Sequence, residues 1–241
     1  MAKLIKKKSD LAAKRDRTIV TNVIGHVLYV VCGVLSIEFI FAYDSLLLVL
    51  ALFLASFVGL CMIHFTRDTM GIEKAGVDGE NKALKMLLSG LPNTYTCINN
   101  AVIWYESRHN ELDLIVVGPT GIFIVEVKNT AGEVRGSYQS KVLQQEKKNE
   151  TKEMRNPMKQ VATHADILYR YLKANGVRAW VQGVVLFVNP KCYPEITDIP
   201  VNGIPAFAVS DGGEKKLMDY IMHQSRDHLS QEEITKICSL I

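Results

Sequence analysis

The chain has 241 residues, 48% of them hydrophobic, and a formal net charge of +3, enough for one domain of ordinary size beside a segment of another kind. The charge is uneven: residues 1–17 hold seven bases and two acids, whereas residues 66–241 hold 21 of each. A neutral domain cannot collect nucleic acid through gross net charge, so any anion site in it must be local.

Residues 19–37 and 46–65 contain no Lys, Arg, Asp or Glu. Each is about the 20 residues that a helix needs to cross ~30 Å of hydrocarbon. Only residues 38–45 separate them, which predicts a two-pass transmembrane hairpin over 18–65; a cleaved signal peptide would account for the first run at most. Lys3, Lys6, Lys7, Lys8, Lys14, Arg15 and Arg17 precede the first span, and the turn holds Glu38 and Asp44 with no base. Cationic flanks stay in the cytoplasm. The expectation is a basic cytoplasmic tail over 1–17 that meets the anionic face of the lipid bilayer, with residues 38–45 outside and both termini inside the plasma membrane. Gly25 and Gly33 offer a small-residue face for a homo-oligomer through the hairpin.

Residues 66–76 read as a connector, 77–190 as a domain, and 191–241 as a strand and helices packed on it. Asp78 is a candidate N-cap for a helix with Ala83, Leu84, Leu87 and Leu88 on one face, closed by Gly90 and Pro92. A strand follows at 95–103. Runs 112–117 and 121–127 are apolar on both faces, which predicts central strands of a covered sheet, and Gly118-Pro119-Thr120-Gly121 joins them as a hairpin turn. Residues 133–155 mix short strand-like pieces with a polar stretch, 144–155, that reads as a surface excursion. Lys141, Lys147, Lys148, Lys152 and Arg155 belong to a solvated face or, alternatively, to a nucleic-acid groove. Asn156-Pro157 starts a helix that runs to Asn175-Gly176. Strands at 180–188 and 206–209 and helices at 213–223 and 230–240 complete an α/β domain of core order α-β-β-β-α-β, a mixed sheet flanked by helices. Cys32, Cys61, Cys97, Cys192 and Cys238 form no Cys-X-X-Cys pair, so free thiols are expected rather than disulfides or a zinc site.

Asp113, Glu126 and Lys128 interrupt the two most apolar strands, and a lone buried carboxylate needs compensation. Glu126 and Lys128 share a strand face. If Gly118 pairs with Gly121, Asp113 stands across from Glu126; a longer loop with a glycine bulge would shift this register by one. Two facing carboxylates repel unless one protonates or a divalent ion lies between them, and Mg²⁺ suits one or two carboxylates plus waters. A buried ion cluster without activity fits the same spacing.

Four separated blocks resemble the NERD (nuclease-related) domain, found in bacterial proteins and often beside transmembrane segments. They are Gly76-Val77-Asp78-Gly79-Glu80, Glu111-Leu112-Asp113 leading to Gly118-Pro119-Thr120-Gly121, Ile124-Val125-Glu126-Val127-Lys128-Asn129 with Gly132, and Asn156-Pro157-Met158-Lys159-Gln160. Thr130-Ala131 stands where a tryptophan often follows the lysine. The resemblance implies a restriction-endonuclease-like fold of the PD-(D/E)XK superfamily and metal-dependent phosphodiester hydrolysis. It implies that Asp113 and Glu126 bind Mg²⁺, or Mn²⁺ as a substitute, with the Val127 carbonyl as a third ligand. Lys128 would position water or stabilise phosphate charge, Glu80 would orient the water or hold a second ion, and Gln160 would contact the phosphate or a metal-bound water. His109 and His164, four residues from Asp113 and Gln160, are further candidates, with His109 read as exposed in a polar loop. The expected function is a membrane-anchored nuclease acting on DNA; the alternative is a catalytically silent tether that binds nucleic acid or protein.

Overall fold

The computed structural model describes residues 1–6, 10–42, 46–106, 108–148, 150–224 and 226–241. Lys7, Lys8 and Asp44, three of the charges that set the expected orientation, lie outside the described residues. The chain divides into two compact units, Ser9–Val77 and a second made of Met1–Lys8 with Asp78–Ile241.

The first unit is a pair of helices, α1 (Asp10–Ala42) and the greater part of α2 (Leu46–Gly90). Each is long and apolar enough to cross a membrane, and only 11% and 17% of their most apolar windows are buried. Core helices of a soluble protein would be mostly buried, so the pair is consistent with a transmembrane hairpin. Glycines set the approach of the two helices: a Cβ on Gly59 would stand 2.6 Å from the Gly25 carbonyl oxygen. Gly25 therefore serves packing inside the chain, and a Cβ on Gly33 would likewise meet Ser56 Oγ at 3.3 Å. Hydrogen bonds from Asn22 Nδ2 to Thr66 Oγ1 (2.7 Å) and from Ser56 Oγ to the Tyr29 carbonyl (3.0 Å) also join the helices. Such bonds are a common device where lipid offers no competing partner.

No break falls at the expected connector 66–76. α2 runs on through it, and Asp78 is a mid-helix residue rather than an N-cap. Residues 66–76 lack proline, the one residue that would forbid the helix, and the capping preference of Asp yields to a helix already propagating.

The second unit is built on a six-stranded mixed sheet of order β1-β2-β3-β4-β8-β10. Its strands are β1 (Lys3–Lys6), β2 (Thr96–Tyr105), β3 (Arg108–Gly118), β4 (Gly121–Lys128), β8 (Val181–Phe187) and β10 (Ala206–Ala208). The expected order α-β-β-β-α-β is present as the end of α2, β2, β3, β4, α3 (Pro157–Ala174) and β8. One face packs on α3 and α5 (Gln231–Leu240), the other on α2 and α4 (Gly213–Met222). β3 and β4 pair in the register Gly118↔Gly121 through Leu114↔Val125, so the two-residue turn is the one formed. The cysteines are free, and burial pushes the thiols of Cys97 and Cys192 up to about 12.

Two differences from the sequence reading bear on function. Lys3–Lys6, expected in a lipid-facing tail, is an edge strand in parallel register with β2, from Lys3↔Thr96 to Lys6↔Asn99. The polar stretch 144–155 forms β6 (Val142–Lys147) and β7 (Glu150–Arg155) of a second sheet, order β7-β6-β5-β9, with β5 (Gly132–Ser137) and β9 (Cys192–Thr197). Buried Leu143 and Gln145 alternate with less buried neighbours there, a two-residue period that the surrounding charge masks.

Candidate active site

The site forms where the sheet forks. Ile98 and Ala101 of β2 both pack in the cluster against α3, as do Leu112 and Ile115 of β3. A regular strand would turn residues three apart to opposite faces, so alternation breaks in both strands between them. The break is at Asn100, whose φ is +52°, and at Asp113 across from it; both are skipped in a ladder that keeps its register on either side. Asparagine tolerates this left-handed geometry better than most residues. Past the break β3 no longer pairs with β4, and Asp113 turns into the gap.

Asp113 Oδ2 there accepts the Val127 backbone N–H at 2.9 Å. A residue's N–H and C=O point to the same side of its strand, so the Val127 carbonyl faces the same gap. Glu126 is 2% exposed; its Oε1 meets Lys128 Nζ at 2.6 Å and its Oε2 has no hydrogen-bond partner. Lys128 Nζ also donates to Gln160 Oε1 at 3.3 Å. Glu80 comes from α2 on the opposite side. Gly79 permits that approach, since a Cβ on it would stand 2.6 Å from Asn129 Cβ, and Lys82 Nζ ties the same turn to the Val188 carbonyl at 2.6 Å.

Five side chains expected from the sequence are thus brought to one fork, with electrostatic consequences. Burial, reinforced by the charges of Asp113, Glu111 and Glu126, pushes the Glu80 carboxyl up to about 8. Burial and then the Glu126 charge push Asp113 up to about 6 against the Val127 hydrogen bond. Burial also raises Glu126, opposed by Lys128. Three carboxyls are set against the ammonium of Lys128 and the charge of Arg155. An orphaned, buried Glu126 oxygen beside a second carboxylate and a backbone carbonyl is a donor set that fits a hard divalent ion. Among the described residues no group of three His, Cys, Asp or Glu side chains closes around an ion, so an ion here would complete its shell with the carbonyl, water or substrate.

His164, a lesser candidate by sequence, belongs to the fork as well. Its Nδ1 lies 3.6 Å from Glu126 Oε2, one turn of α3 beyond Gln160, and burial lowers its pKa. His109 is in strand β3 rather than a loop; it is exposed and packs edge-on against Trp104. Asn156, part of the Asn-Pro block, has a structural task. It is fully buried, caps α3 by accepting the Met158 N–H, and donates to the carbonyls of Tyr138 and Ser140. In the second sheet Lys152 meets Glu150 at 3.1 Å and Arg135 of β5 bridges Glu133, Glu146 and Glu195, whereas the charge of Arg155 acts on Glu126 and His164.

Residues 75–188 match the model of the NERD family, the nuclease-related domain. The chain carries a NERD domain. The match begins near the end of α2 and closes just after β8, so it contains the whole fork, whereas β1, β9, β10, α4 and α5 lie outside it. No curated protein and no solved structure matches the chain. The match suggests a nuclease-related function, and the fork lies within the matched residues.

Proposed function

We propose that the protein is a membrane-anchored, Mg²⁺-dependent nuclease that hydrolyses phosphodiester bonds, with DNA as its principal substrate. The observation that carries this reading is the gathering of Glu80, Asp113 and Glu126 around Lys128, with their carboxyls held above the ordinary range. A purely structural cluster of that charge would cost the fold more than it returns. A divalent ion relieves it.

Asp113 and Glu126 would hold the ion with the Val127 carbonyl, and Glu80 is the candidate for orienting water or a second ion; Mn²⁺ would substitute. When bound, the ion supplies Lewis-acid polarisation of the phosphate and a more acidic water. The chain's own groups do the rest. Lys128, steadied by Gln160, offers its ammonium to the negative charge that grows on the phosphate oxygens. Gln160 keeps its amide N–H₂ for the phosphate or for water. Glu80, protonated near neutral pH before charge is relieved, is suited to exchange a proton with the attacking water.

The charge pattern supports a plasma-membrane address with the NERD domain inside. β1 adds an independent argument. Residues 3–6 share a sheet with residues 96–99, which supports a topology with the N-terminus and the NERD domain on one side, as two spans allow and one does not. The substrate is then nucleic acid that comes to the inner face of the bilayer.

The test is cleavage of DNA and RNA by the full chain in nanodiscs, with Mg²⁺ and with chelator. A fragment starting at residue 66 would lack β1 and expose the β2 edge. The expected result is metal-dependent cleavage that Asp113→Asn abolishes. Binding of nucleic acid without cleavage under any metal would favour the silent tether instead, a reading that the neutral domain also supports.

A further inference from the structure

Trp104 is 67% exposed, although an indole is among the most costly side chains to leave in water. It sits near the end of the β2–β3 arm, directly across from His109 in the ladder, with ring centroids 5.0 Å apart at 61°. The edge contact holds the indole against the arm and leaves its outer face open. His109 and Glu111 share one face of β3, leading to Asp113 at the break, and the charges of Glu111 and Asp113 both act on Glu80. The Trp104–His109 pair therefore lies on the Glu80 side of the fork, on the strand that delivers Asp113. Asp113 stands four positions beyond His109, about 13 Å of strand, or about four stacked base steps.

From this arrangement we infer that Trp104, supported by His109, is a stacking platform for an unpaired nucleobase of the strand whose phosphate enters the fork. The inference rests on the nuclease reading and names its substrate class: single-stranded or locally opened nucleic acid. Charge decides what kind of group sits there. Glu111 and Asp113 make this face acidic, which disfavours a phosphate beside the indole, whereas a base presents a neutral π-face that any aromatic can stack with regardless of sequence. The even balance of bases and acids beyond residue 65 agrees. A domain without excess cations gains little from counterion release, so stacking is the remaining source of affinity for a strand.

The test measures affinity of the full chain in nanodiscs, in chelator, for a fluorescent oligothymidylate and for a duplex of the same length. Trp104→Ala is expected to weaken single-strand binding roughly 5- to 150-fold, and Trp104→Phe, which keeps a ring, to recover most of it. The Ala-to-wild-type ratio should change little with salt, because stacking releases no counterions; a general loss of fold would not be rescued by Phe. Indole emission should be quenched by the oligonucleotide in the wild type and not in Trp104→Phe. Equal affinities for wild type and Trp104→Ala overturn the inference. So does a Trp104 emission shift caused by the nanodisc lipid alone, which would make the indole a membrane contact. The two readings fail separately: a wild type that cleaves but binds as Trp104→Ala does sinks only this inference, and one that never cleaves yet discriminates Trp104→Ala sinks only the nuclease reading.

Discussion

Lys128→Ala is expected to reduce cleavage about 10²–10³-fold while leaving Mn²⁺ binding intact, whereas Asp113→Asn removes both. The two residues meet at one fork but do different work. Asp113 brings a carboxylate into the gap from β3, and its replacement takes away a metal oxygen. Lys128 brings a cation from β4, on the α3 side, tied to Glu126 and Gln160. Without it Glu126 loses the ammonium paired with it, so the remaining carboxylates attract a divalent ion at least as well as before. Titration of each variant with Mn²⁺ by calorimetry, beside turnover on a single substrate, separates the roles. Parallel loss of metal affinity and cleavage in Lys128→Ala would make the lysine a mere prop for the metal site, and unchanged cleavage would remove it from the chemistry.

The metal-free protein should become more stable, not less, when Asp113 is replaced by asparagine. The folded state raises this carboxyl from 3.8 to about 6. Between those values the native state holds a proton that the unfolded chain has released, so stability falls as pH rises through that window and stays lower above it. Asparagine has no such proton and can still accept the Val127 N–H. The expected gain is therefore close to zero below 3.8 and complete above about 6, on the order of 1–3 kcal/mol, or roughly 3–10 °C in Tm. Glu80 extends the same trend, since its window reaches from 4.5 to about 8. A divalent ion should reverse the ranking by raising the Tm of the wild type alone. Thermal unfolding in chelator and in Mn²⁺, at acidic and neutral pH, measures this. A lower Tm for Asp113→Asn at neutral pH in chelator would mean that the carboxylate cluster is a structural asset, and that the fold needs no ion to tolerate it. Stability given up at a site where charge is concentrated is a common mark of function.

Most of the fork is legible in the sequence because its parts are local. The Gly-Pro-Thr-Gly turn fixes the β3–β4 register as far as Leu114↔Val125, which brings Asp113 beside the Glu126–Val127 stretch although the two carboxylates are not ladder partners. Gln160 follows an Asn-Pro start whose buried amide ties down the helix. What escapes a sequence reading depends on distant partners. Lys3–Lys6 has the composition of a solvated tail and becomes a strand only because β2 offers it an open edge. The β6–β7 hairpin hides its two-residue period beneath charges that pair across strands. Asn100 is the most instructive case: the Asn-Asn pair within an otherwise apolar strand is visible, but its meaning, a left-handed break that frees Asp113 from the ladder, emerges only when the facing strand is present. His164 can be read as one helical turn from Gln160 and no further, since its contact with Glu126 belongs to the fold. Continuity of α2 through 66–76 shows the converse, in which a good capping residue at Asp78 is overruled by the helix that enters it.

Whether the fork holds a catalytic metal ion is tested most directly by anomalous diffraction at the manganese edge from crystals of the full chain soaked in Mn²⁺. The expected result is a peak bounded by carboxylate oxygens of Asp113 and Glu126 and by the Val127 carbonyl, with Lys128 displaced from Glu126 Oε1. Saturating Mn²⁺ with no peak in the gap, and Lys128 still paired with Glu126, would contradict a metal-dependent site.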